Sequence, residues 1–417
     1  MLAWLLIMIK EQFSLSEVAD ILGVSKETLR RWDSTGKLIS QRNDENNYRF
    51  YLKEQLMHFE QAQLIFKSNW SDESKNSHNN YTVLELFAGA GGMALGLEKA
   101  GLKSVLLNEI DVHACKTLRK NRPEWNVVEG DVSSIDFTPF QNKVDVLAGG
   151  FPCQAFSYAG KKLGFEDTRG TLFFEFARAV KEVNPKVLLA ENVRGLLKHD
   201  DGRTLETIKN IIIDLGYTLF DPRVLKAIFY KVPQKRERLI IVAVRNDLAN
   251  GIDYDWPSSY SKLLTLKDAL KKGDLFDTDV PESEGQKYPK RKAEILQMVP
   301  PGGYWRDLPE DVQKEYMLKS FYLGGGKTGM ARRLSWEEPS LTLTCAPAQK
   351  QTERCHPDET RPLTVREYAR IQTFPDDWIF EGPMTSKYKQ IGNAVPVNLS
   401  FAVGKSIVQL LDKINRI

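Results

Sequence analysis

The sequence is short of cysteine, of net charge and of long apolar runs. Its four cysteines in 417 residues stand at 115, 153, 345 and 355. That irregular spacing excludes a disulfide framework and fits a reduced, cytosolic setting. Cys345, Cys355 and His356 lack a fourth ligand at metal spacing, so no metal site is expected. Fifty-eight Lys and Arg against fifty-five Asp and Glu leave a net charge of +3. So small an excess proves no nucleic-acid partner, and any DNA-binding surface must come from local clustering. The apolar run at residues 2–9 is too short to span a bilayer, and it lacks a basic leader or a clear cleavage site. Neither a membrane anchor nor a signal peptide is expected. Met1 and Met8 both remain candidate starts.

What is present is a globular composition, 42% hydrophobic and 27% charged, long enough for two or three domains. The organising stretch is Gly149-Gly150-Phe151-Pro152-Cys153-Gln154-Ala155-Phe156-Ser157. It follows an apolar run at 144–148 that reads as a buried strand. Cys153 therefore sits just past a strand's carboxyl end, where open α/β sheets keep their sites. From these residues alone, a nucleophile and a small buried core thiol both stay open.

Other strand ends carry chemistry-bearing residues. Residues 83–87 lead into Ala88-Gly89-Ala90-Gly91-Gly92, a turn whose backbone can approach a ligand closely. A strand at 104–107 ends at Asn108-Glu109, and a carboxylate about 20 positions past such a turn is placed for ribose hydroxyls. A strand at 125–128 ends at Gly130-Asp131, an acceptor for an amino group. The apolar run 187–190 delivers Glu191-Asn192-Val193, with Glu191 as an acid candidate. Residues 217–225 and 239–244 read as the remaining strands, with Gln234-Lys235-Arg236-Glu237-Arg238 before the second.

The N-terminal 75 residues have a different pattern. Leu15, Val18, Ala19 and Leu22 recur at helical spacing, with Ser14 or Ser16 as cap. Gly23 breaks the pattern, Ser25 caps again, and a second helix starts at Lys26. Helix, glycine turn, helix is the helix-turn-helix signature, and its second helix enters the major groove through Thr28, Arg30 and Arg31. Ten basic against eleven acidic residues in 1–75 give this segment no basic field. A helical protein-interaction module is the alternative. The polar segment 68–80 reads as a linker.

Gly-Phe-Pro-Cys-Gln-x-Phe-Ser resembles the catalytic motif of the cytosine-C5 DNA methyltransferases, and further motifs of that family follow in order to the C-terminus, with a variable gap near 250–335. The N-terminal segment resembles the MerR-type winged-helix DNA-binding domains. The resemblance implies an α/β fold, a Rossmann-like mostly parallel sheet binding S-adenosylmethionine, with a smaller target-recognition domain and an added helix-turn-helix. It implies Cys153 as nucleophile, Glu191 as acid, Arg238 on the cytosine carbonyl oxygen, and Arg236 in support. Phe87, Gly89, Gly91, Gly92, Glu109, Ile110, Asp131, Val132, Pro152 and Leu172 would form the cofactor pocket, closed by Asn393 and Val395. Ile110 stands where many relatives carry an aromatic residue. Gln154, Ser157 and Gln234 would meet DNA.

The implied boundaries are 1–75 for the helix-turn-helix and 81–245 for the catalytic and cofactor domain. Target recognition takes 246–375, and 376–417 returns to the catalytic domain. The expected role is a restriction-modification methylase acting on double-stranded DNA in the bacterial cytoplasm, at the nucleoid. The methylase would act as a monomer, with dimerisation possible through residues 1–75 and the chain's own promoter as a second DNA target. The target sequence does not follow from these residues, although the overall resemblance suggests methylases of the GGNCC class. An RNA methylase and a repressor with an inactive methylase fold are the rivals. The recognition region and the complete Cys153, Glu191, Arg238 set weigh against them.

Overall fold

The computed structural model describes residues 11–72, 80–152 and 172–416, which fall into two compact units. The smaller holds residues 11–70 together with Ser258–Leu263; the larger holds the rest.

In the smaller unit, helices Leu15–Leu22 and Lys26–Ser34 are joined by Gly23, whose φ of 69° gives the left-handed turn glycine adopts most easily. Ser14, rather than Ser16, caps the first helix: its hydroxyl accepts from Glu17 N–H, while Glu17 reaches back to Ser14 N–H. Ser25 caps the second. Strands Gln41–Arg42 and Arg49–Leu52 form the wing, and Gln12–Ser14 pairs on the other side of Arg49–Leu52. Asp33 links the second helix to the wing, accepting from Ser40 N–H at 2.8 Å and Arg49 Nε at 3.0 Å. These bonds, Ser40's backbone first, hold its carboxyl below the usual range. Val18, Ile21, Leu29, Tyr51, Leu56 and Ala62 form the buried core. The segment 258–263, which sequence reading left in the recognition region, joins this unit: Ser259 Oγ donates to Leu64 C=O and Tyr260 packs edge-on against Trp70.

The larger unit is built on an eight-stranded sheet. Across it run Arg223–Lys226, Glu237–Arg245, Val187–Val193, Val146–Gly149, Thr82–Leu86, Lys103–Glu109 and Val127–Glu129, with Tyr217–Leu219 also pairing on Glu237–Arg245. The five strands from Val187–Val193 to Val127–Glu129 are parallel, and Glu237–Arg245 is antiparallel to its neighbours. Burial on both faces explains why most of these strands read as near-continuous apolar runs. The expected single strand at 217–225 is divided at Asp221-Pro222, because proline brings no N–H to the ladder. The strand expected at 125–128 lies at Val127–Glu129, while Trp125 instead packs in the core against Trp378.

The C-terminal helix Val397–Ile414 lies along Gly92–Lys99, and Gly96 permits the approach: a Cβ there would stand 2.5 Å from Val397 O. Met384–Ile414 has the length and composition of a membrane span, but 78% of its apolar window is buried, as in a core helix. The stretch with poor periodicity forms short helices, Lys290–Gln297 and Glu310–Met317, around a separate small core of Ile295, Leu296, Trp305, Val312 and Met330.

Candidate functional site

Chain order reverses between Thr82–Leu86 and Val146–Gly149, so the crevice at their carboxyl ends is the sheet's switch point. Gly150, Phe151 and Pro152 lead out of it. Cys153, Gln154 and Ser157 lie outside the described residues.

Glu191, near the end of Val187–Val193, is buried, and its Oε1 lies 2.5 Å from Arg238 Nε. Antiparallel pairing of that strand with Glu237–Arg245 makes the contact, setting Glu191 opposite Ile240 and Arg238 opposite Val193. A Cβ on Gly150 would come within 2.9 Å of Glu191 Oε2, so glycine lets the loop pass this carboxylate. Asn192 is a residue that sequence reading left without a role. Its Nδ2 donates to Phe151 C=O at 2.8 Å in a buried bond, tying the loop before Cys153 to the strand that carries Glu191. The signal was present as an amide beside the acid at a strand end.

Arg236 and Gln234 are buried beside this pair. Arg236 is 2% exposed, and its guanidinium donates to the carbonyls of Gly392 at 2.9 Å, Leu343 at 3.3 Å and Asn393 at 3.4 Å. Burial first, then the neighbouring Arg238, push its pKa down to about 9, so it stays charged at neutral pH. Gln234, expected to meet DNA, lies buried in the structure. Its side chain is fully buried, accepting from Leu343 N–H and donating to Gln372 Oε1, both at 3.0 Å.

At the cofactor end, Glu109 accepts from the N–H groups of Gly89 at 2.7 Å and of Ile110 and Asp111 at 2.8 Å each. A carboxylate has about four acceptor positions, so one is left for a ribose hydroxyl. Gly89 has φ +55°, and a Cβ there would meet nothing within 4 Å, which leaves open room for a ligand against its backbone. Ile110 and Asp131 are exposed; Asp131 accepts from Ser133 N–H, which with the Ser133 hydroxyl lowers its pKa. Asn393 and Pro152 are exposed too, and Phe87 and Leu172 are half-buried beside the core. These residues fit a nucleoside-bearing cofactor.

Four more of the expected pocket residues are packed closely against the protein's own atoms. A Cβ on Gly91 would strike Leu118 at 2.7 Å, and one on Gly92 would strike Val395 O at 2.3 Å. Val132 is 2% exposed with its side chain in the sheet's core, which leaves only its backbone for a ligand. Val395, at 9% exposed, meets Gly92 through its carbonyl. A hollow of about 810 Å³ lies elsewhere, between Lys271, Tyr288, Trp336 and Arg361, and takes in none of these residues.

On the smaller unit, Thr28, Arg30 and Arg31 line a hollow of about 510 Å³ with Ser25, Glu27 and Ser34. Arg30 pairs with Glu27 at 3.0 Å, and the Thr28 hydroxyl is bonded to Ser25 in the cap, so Arg31 is the least engaged of the three.

Residues 81–409 match the family model described as C-5 cytosine-specific DNA methylase, and residues 14–51 match that of the MerR family regulatory protein. The chain is 89% identical over 416 residues to the type II methyltransferase M.Eco47II of Escherichia coli, covering 100% of both. It is 63% identical to the type II methyltransferase M.PspPI of Psychrobacter sp. strain TA137, with 96% of each chain covered. A solved structure described as a DNA modification methyltransferase encoded within an E. coli prophage superposes with a TM-score of 0.57 at 27% identity. It covers 80% of this chain and 100% of that one.

Proposed function

Because this chain belongs to the C-5 cytosine-specific DNA methylase family, we propose that it methylates one cytosine of a specific DNA site and so protects that DNA from a partner endonuclease. The chain is a DNA (cytosine-5-)-methyltransferase dependent on S-adenosylmethionine, and its close relatives are type II methyltransferases.

C5 of cytosine is a weak nucleophile stacked inside the duplex, so the base must first leave the stack. Cys153, as thiolate, attacks C6 and raises electron density at C5. Glu191 stabilises the protonated N3 side, and Arg238 holds the carbonyl oxygen. S-adenosylmethionine, when bound, supplies the electrophilic methyl group that C5 receives. The C5 proton then leaves to a base or water, and elimination frees Cys153. Phe87, Gly89, Glu109, Ile110, Asp131 and Asn393 would hold the cofactor, with Pro152, Leu172 and Val395 beside them. The observation that carries this reading is the contact between Glu191 and Arg238, an acid and a carbonyl-oxygen donor joined at the crevice beside Gly150.

The test is methyl incorporation into DNA from labelled S-adenosylmethionine. Cys153→Ser should abolish it while DNA and cofactor binding persist, and DNA carrying 5-fluorocytosine should be trapped on Cys153 of the parent enzyme. Normal turnover by the variant would sink the covalent route. Bisulfite sequencing of methylated DNA would identify the site and test the GGNCC class. The smaller unit is read as a dimerising regulator of the methylase's own promoter, supported by the MerR match and the exposed Arg30 and Arg31. Methylation itself would need only a monomer, in the cytoplasm at the nucleoid.

A further inference from the structure

Two short segments far apart in the chain, Leu343-Thr344-Cys345 and Ile391-Gly392-Asn393-Ala394, meet beside the cofactor end of the crevice. Glycine permits the meeting, since a Cβ on Gly392 would stand 2.5 Å from Thr344 O and 2.9 Å from Cys345 N. Arg236 bridges them from below, donating to Leu343 C=O and to Gly392 C=O. Beside it runs a buried amide relay. Leu343 N–H donates to Gln234 Oε1 at 3.0 Å, and Gln234 Nε2 donates to Gln372 Oε1 at 3.0 Å. Gln372 Nε2 then donates to the carbonyls of Ile391 at 2.7 Å and Ala394 at 3.2 Å. Gln234 and Gln372 are both fully buried. At the exposed edge of the junction, Cys345 Sγ donates to Asn393 Oδ1 at 3.1 Å.

A thiol proton given to Oδ1 fixes which way the Asn393 amide faces, and leaves its Nδ2 to donate outward. Leaving any relay member unpaired would expose a buried donor or acceptor to the full cost of desolvation, so the turn has one favoured position. We propose that Cys345, with the Gln234–Gln372 pair behind it, positions Asn393 and its turn for cofactor binding. This rests on the reading of Asn393 and Val395 as cofactor contacts. Cofactor affinity is thereby set partly by the segment 340–345, which lies in the recognition half of the sequence.

The experiment measures KM for S-adenosylmethionine, kcat and melting temperature on the full-length enzyme, for Cys345→Ala, Cys345→Ser, Gln372→Met and Asn393→Ala. Cys345 is exposed, so Cys345→Ala should fold and melt as the parent does. Its KM should rise about fivefold, the scale of one hydrogen bond, with kcat little changed. Cys345→Ser keeps an O–H donor and should restore the parent KM. Gln372→Met should raise KM further. If Asn393→Ala raises KM but Cys345→Ala and Gln372→Met do not, or lower only the melting temperature, the positioning role is overturned. A loss in kcat at unchanged KM overturns it equally. If Asn393→Ala itself leaves KM unchanged, the cofactor reading of the turn has failed instead.

Discussion

The two compact units place their chemistry in opposite ways. In the smaller one, the residues proposed to meet DNA sit on one helix of nine residues, Lys26–Ser34, whose position is set by a serine cap and one buried leucine. In the larger, Gly150, Glu191, Arg238 and Asn192 are brought together from segments separated by tens of residues, each delivered by a strand end or a turn. A helix face is a local object, so its residues can act nearly independently. A site of convergent strand ends is a property of the whole sheet, and there each residue depends on partners that hold its neighbours.

That contrast can be broken by experiment. The largest effect is expected at Glu191. Glu191→Gln keeps shape and hydrogen-bonding capacity but removes the acid, so kcat should fall about 10²-fold or more. A variant that loses thermal stability and keeps its rate would make Glu191 a structural partner of Arg238 instead.

Next in size is the helix face. Arg30→Ala and Arg31→Ala should each weaken binding to the upstream promoter about tenfold, as for single base or phosphate contacts. Methylation rate and site should be unchanged. A footprint that survives both changes, or methylation that falls with them, would show the units are not separable in function. Point changes are the sharper tool here than removing residues 1–75, because Ser258–Leu263 belongs to the same unit and would be left behind.

The glycine turn provides an internal contrast. Gly92→Ala drives a Cβ against a backbone carbonyl and should destabilise the fold by about 1–3 kcal/mol. Gly89→Ala meets no atom of the described residues and should cost only about 1 kcal/mol for its left-handed φ, while raising KM for S-adenosylmethionine. Thermal melts and cofactor titrations on both variants separate the two kinds of glycine; equal melting shifts would undo the distinction.

The smallest expected effect concerns Glu85 in the central strand. It is fully buried, with neither carboxylate oxygen hydrogen-bonded among the described residues, and burial first, then nearby Glu109, raise its pKa well above 4.5. The folded protein therefore keeps this proton to higher pH than the unfolded chain does. The stability it contributes is complete below the ordinary carboxylate range and is lost as pH rises towards the folded value. Glu85→Gln should raise the melting temperature, and by more at about pH 8 than at about pH 5. A constant offset across pH would mean that Glu85 is not held protonated.

Much of this was determined by the sequence itself. Apolar runs of strand length, glycine turns after them and carboxylates at their ends come from local backbone rules, so the α/β core, the helix-turn-helix and the positions of Glu109, Asp131 and Glu191 were legible. So was Ser25 as a cap, because capping involves residues only a few positions apart. The tertiary structure decided what depends on contacts between distant segments. It set Gln234 in a buried bond to Gln372, packed Gly91 and Gly92 against Leu118 and Val395, and placed the Val132 side chain in the core. It also gave Asn192 its hold on Phe151 and brought Ser258–Leu263 to the smaller unit. The physical reason is common to all of these: a side chain's type and spacing fix which bonds it can make, but which partner lies within 3 Å depends on how the sheet and its connections pack.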